Sequence, residues 1–97
     1  MIHLNRLAME EIRRKNYKSA VDHLTQSLVL EEKLGMKAQM AESFFNMAGV
    51  YFLMEEYDLA LQKTNFAEEL FRQEGKTEDV AKSQDLIREI EERMHEA

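Results

Sequence analysis

The sequence predicts an all-α fold of two helical hairpins followed by a C-terminal capping helix, and three observations carry that prediction. Phe44, Met47, Ala48 and Tyr51 recur at the i, i+3, i+4, i+7 spacing of one helix face, and Tyr57, Ala60, Leu61, Thr64 and Ala67 restart that spacing after the polar pair Glu55-Glu56. The chain is also similar to itself at one fixed offset, which aligns Ala8 with Ala48, Tyr17 with Tyr57, Ala20 with Ala60, Leu30 with Leu70 and Gly35 with Gly75. Proline is absent and glycine occurs three times, which suits long uninterrupted helices and argues against a sheet built on tight turns.

The first helix is expected over residues 2–14, with Leu4, Leu7 and Ala8 toward its partner and Glu11 where the second hairpin has Tyr51. That exchange predicts looser packing, or a different exposure, in the first hairpin. Lys15-Asn16 makes the turn. The second helix runs from about 17 to 34 with Ala20, Val21, Leu24, Ser27, Leu28 and Leu30 inward, and Gly35 ends it because glycine takes the left-handed conformation at little cost. The third and fourth helices follow at about 37–54 and 57–73, the latter closed by Gly75. Small residues at Ala48 and Ala60 let their backbones approach. Thr77 and the acidic Glu78 and Asp79 open a fifth helix, with Val80, Ser83, Leu86, Ile87, Ile90 and Met94 in one stripe and charged residues elsewhere. A helix with a single apolar side reads as a cap. The domain reading is one unit over 1–97: repeat 1 at 1–40, repeat 2 at 41–80, and the capping helix at 78–95.

The order large, large, small, aromatic, then tyrosine and alanine after the turn, at Phe44, Met47, Ala48, Tyr51, Tyr57, Ala60 and Ala67, resembles the tetratricopeptide repeat. The period, from Ala8 to Ala48, is longer than the usual one, so each hairpin carries about one and a half extra turns. Long repeats that end in LEEKLG and resume with MAESFFNMAGVYF are similar to those of kinesin light chains, cell-polarity adaptors and bacterial response-regulator phosphatases. The resemblance covers residues 1–80. It implies an α-α superhelix and a protein-interaction role without choosing among the functions of such proteins.

Composition narrows the function classes. The net charge is −6, placed as seven Lys/Arg against five Asp/Glu in residues 1–40 and six against fourteen in 41–97. An acidic chain is repelled by phosphate backbones, and Arg13, Arg14 and Lys15 are too short a cluster to outweigh that, so nucleic-acid binding is not expected. No apolar run has the length of a membrane span, and charges through the first fifteen residues rule out a signal-peptide core there. Cysteine is absent, which suits a reducing, cytoplasmic setting. His3, His23 and His95 are dispersed. Glu92-x-x-His95 copies half of a di-iron motif but lies on a polar face, so no metal or other cofactor is expected. Neither a nucleophile with its base nor a glycine-rich phosphate loop is evident, and the catalytic residues of the similar phosphatases belong to an extra N-terminal bundle with no counterpart here. The chain is not expected to be an enzyme.

In arrays of the family it resembles, the first helix of each hairpin lines a concave face. That resemblance implies concave positions at Ile2, Asn5, Met9, Ile12 and Arg13, then at Glu42, Phe45, Gly49, Phe52 and Leu53. Lys82, Asp85, Glu89 and Arg93 follow on the fifth helix. Asn46 and Lys82 match part of the lysine–asparagine clamp with which chaperone cofactors grip a carboxylate, but Asn5 and Met9 replace its other half, so the clamp is not expected. The expected partner-binding residues are therefore Met9, Ile12, Phe45, Phe52 and Leu53, with Asn46 and Lys82 at the rim. They would hold a protein or peptide in an apolar groove. The alternatives are a homo-oligomer, such as a homodimer, that uses the same surface or the array ends, and a tighter bundle in which Phe45 and Leu53 are simply core.

Overall fold

The structure is a computed structural model describing the backbone of residues 2–96 and the side chains of residues 6–96. It is all-α: α1 (Ile2–Arg13), α2 (Tyr17–Lys33), α3 (Lys37–Leu53), α4 (Tyr57–Gln73) and α5 (Thr77–Glu96). Each helix packs on the next in sequence, and together they form a slab 39 × 32 × 17 Å.

The four connections are one turn repeated. Lys15, Gly35, Glu55 and Gly75, evenly spaced along the chain, all have positive φ between 62° and 69°. In each, the residue of positive φ donates its N–H to a carbonyl three residues back, and its successor donates five residues back. At Glu55 these bonds run to Phe52 at 3.0 Å and from Glu56 to Tyr51 at 2.9 Å. This is the Schellman arrangement, which satisfies the orphan carbonyls at a helix end. Sequence alone marks the two glycines as stops and the other two pairs only as polar turns.

Buried positions recur from one hairpin to the next. Ala20, Leu24, Ser27 and Glu31 are buried in α2, and their counterparts one repeat later in α4, Ala60, Thr64, Ala67 and Phe71, are equally buried. Two cores result. Ala8, Ala20, Leu24, Met47 and Val50 make the first, across α1, α2 and α3. Ala41, Ala67 and Phe71 make the second, flanked by Phe44, Phe45, Leu70 and Val80 from α3, α4 and α5. α3 serves both, which is why its sequence is apolar on nearly every side.

Several expectations need correction. Leu30 is 43% exposed, not inward, because the buried side of α2 turns through Ser27 to Glu31. Leu7 is 36% exposed, whereas Met47 in the matching place is 4% exposed. Met47 is covered by α2, and among the described residues no helix covers the corresponding side of α1. Met94 leaves the packed stripe of α5 and is 36% exposed. Glu11 also makes a contact the sequence reading did not foresee: its carboxylate lies against His23 Nδ1 across the first hairpin, both side chains partly buried. The side chains of Ile2, His3, Leu4 and Asn5, named above, lie outside the described residues.

Candidate functional site

α3 presents Glu42, Phe45, Asn46, Gly49, Phe52 and Leu53 along one face, a consequence of the helical period. Three of the expected residues meet. Phe45, Asn46 and Lys82 line a cavity of about 230 Å³ between α3, the end of α4 and the start of α5, together with Glu42, Phe71 and Asp79. Phe45 and Phe71 form its apolar wall, edge to face at 6.5 Å and 64°. Phe71 is 3% exposed and belongs to the second core, and Phe45 packs against that core. The other lining residues are of polar type: Glu42, Asp79, Lys82 and Asn46. None of the three charged groups is in an ion pair among the described residues.

The other expected residues do not join that cavity. Phe52 lies nearly two turns further along α3, tilted on Tyr57 at 5.8 Å, with the Arg93 guanidinium 5.4 Å from its ring centroid. Leu53 beside it is 51% exposed, so it is not core. Met9 on α1 is 47% exposed. Ile12 packs against the first core, so it is structural as much as accessible. Between Phe45 and Phe52 stands Gly49, where an added Cβ would meet nothing within 4 Å. A glycine inside a helix costs about 1 kcal/mol relative to alanine. Among the described residues nothing requires its bareness.

Two features escape the sequence reading. Glu31 is fully buried; Ser43 Oγ donates to its Oε1 at 2.8 Å and Ser27 Oγ to its Oε2 at 3.1 Å. Loss of water pushes its carboxyl up from the ordinary 4.5, the nearby charge of Glu42 acts in the same direction, and the serine bonds oppose both. The available signal was its alignment with Phe71, a buried position in the second hairpin. The second feature is a recess of about 270 Å³ lined by Phe44, Phe66, Glu69 and Leu70, where Phe66 is 46% exposed and its ring lies tilted against that of Phe44 at 5.2 Å. The isolated Phe66 falls outside the inward stripe of α4, so periodicity gives it no role.

Comparison with protein-family models, with curated proteins and with solved structures finds no match to this chain. Among the described residues no helix is long and apolar enough to cross a membrane.

Proposed function

We propose that this chain is a protein-interaction module, a tetratricopeptide-like array of two hairpins and a cap that captures a peptide or helix along α3. The observation that carries the reading is the aromatic-walled, polar-rimmed cavity at Phe45 and Phe71, set beside exposed Leu53 and a helical glycine that the fold does not need. Concave sites with apolar walls and a few polar groups are where ligands bind, and bare backbone allows a partner's main chain to come close. The reading is of a binding module rather than an enzyme, working in a reducing, cytoplasmic setting that the cysteine-free composition supports.

The test is Gly49→Leu. Its new side chain starts in open space and improves helix propensity, so melting followed by circular dichroism should occur at or above the wild-type temperature. Peptides selected on the wild-type chain from a displayed random library should lose binding to this variant. Undiminished binding would remove the α3 face from consideration. A second reading is favoured by the exposure of Leu7 where Met47 is buried: self-association through the α1 end of the array.

A further inference from the structure

The two aromatic positions on α3 are treated differently by the chain itself. Over Phe52 it places its own cation, Arg93, in cation–π geometry. Over Phe45, two turns earlier, no cation of the chain stands among the described residues. Instead the cavity beside Phe45 is lined by two acidic residues, Glu42 and Asp79, with Lys82 as the one basic residue among them. Neither carboxylate has an ion-pair partner among the described residues. The surrounding half of the molecule is acidic as well, with fourteen Asp/Glu against six Lys/Arg in residues 41–97, so its field favours a cation there.

We propose that the cavity takes a lysine or arginine side chain from a basic, partly apolar peptide segment. The aliphatic stem lies against Phe45 and Phe71, the cationic head pairs with Glu42 and Asp79, and the peptide main chain passes over Gly49 toward Leu53. An amphipathic cation is the one common side chain that satisfies both the aromatic wall and the carboxylate rim, since an apolar residue would leave the carboxylates desolvated and an acidic one would meet like charge. Lys82 is the competitor for the same carboxylates, so it weakens the site it borders. This inference rests on the reading of α3 as the interaction face.

The experiment uses capped pentapeptides Ala-Leu-X-Leu-Ala, with X as arginine, lysine, citrulline or glutamate, titrated into isotope-labelled protein. Arginine and lysine peptides should shift the amides of Phe45, Asn46 and Lys82 and bind at least tenfold more tightly than the citrulline and glutamate peptides, with an advantage that shrinks in salt. The Glu42→Gln, Asp79→Asn double variant should erase that advantage, and Lys82→Glu should increase it severalfold. Lys82 is exposed, so this second variant tests the idea without disturbing a core. Equal binding of the four peptides at these amides, or preference for glutamate, overturns the inference while leaving the interaction face in place. Silence from all four overturns it too, and the Gly49→Leu comparison then judges the interaction face separately.

Discussion

Glu31 concentrates the physical tension of this molecule in one side chain. In the second hairpin the same place is filled by Phe71, and the neighbour at Ala67 is apolar. Around Glu31, Ser27 of the same helix and Ser43 of α3 supply hydrogen bonds that a phenylalanine would not need. A buried carboxylate is easier to hold protonated than ionised, so its folded-state pKa lies above the ordinary 4.5. The fold therefore binds that proton more tightly than the unfolded chain does. The stabilisation is fully present below 4.5 and is lost as pH rises through the raised folded value. Glu31→Gln keeps the shape and an acceptor oxygen without the charge. It should melt higher than wild type at pH 7, with the gap closing as both are acidified below pH 4.5. Melting curves of the pair across pH check this, and a lower melting temperature for the glutamine form at neutral pH would contradict it.

At the scale of elements, the turns set the architecture. Four evenly spaced Schellman motifs join the five helices through connections of equal length. Glycine occupies the left-handed position in two of them, whereas Lys15 and Glu55 hold φ of 64° and 62° against the crowding of their own Cβ. Glu55 is exposed and its side chain enters no ion pair among the described residues, so the strain there brings no visible return. Glu55→Gly should stabilise the fold by about 1 kcal/mol, less the extra freedom it confers on the unfolded chain. Urea denaturation with an unchanged slope is the check, and a loss of stability would mean that Glu55 contributes more than its conformation shows.

Across the whole molecule, α3 couples two cores that are otherwise built from different helices. The two edges differ. The outer side of α5 is charged, with Arg88 bonded to Asp85 where α3 has Ala48, whereas α1 leaves Leu7 exposed. A charged edge resists stacking and a bare leucine invites it. Self-association through the α1 end would give a light-scattering mass above that of the monomer, reduced to the monomer by Leu7→Glu. A wild-type mass of 11.5 kDa at the highest soluble concentration would end that reading.

Helix number, order and approximate bounds are legible in the sequence, because amphipathic period and helix-stop residues are local properties. The fourth helix, for example, is expected and found at 57–73. Phe45, Asn46 and Lys82 were named together through the family resemblance, and they do line one cavity; their partner-binding role is the proposal made above. Which of the apolar residues on α3 and α1 stay open was not. Leu53 is half-exposed and Ile12 is packed, though both are apolar residues with the same expected role. Nor did local pattern reveal that Glu31 sinks into the core while Leu30 beside it faces water. Periodicity fixes the angle at which a side chain leaves its own helix. Whether that direction meets a neighbouring helix or solvent depends on where the neighbour lies, and only the tertiary structure decides that.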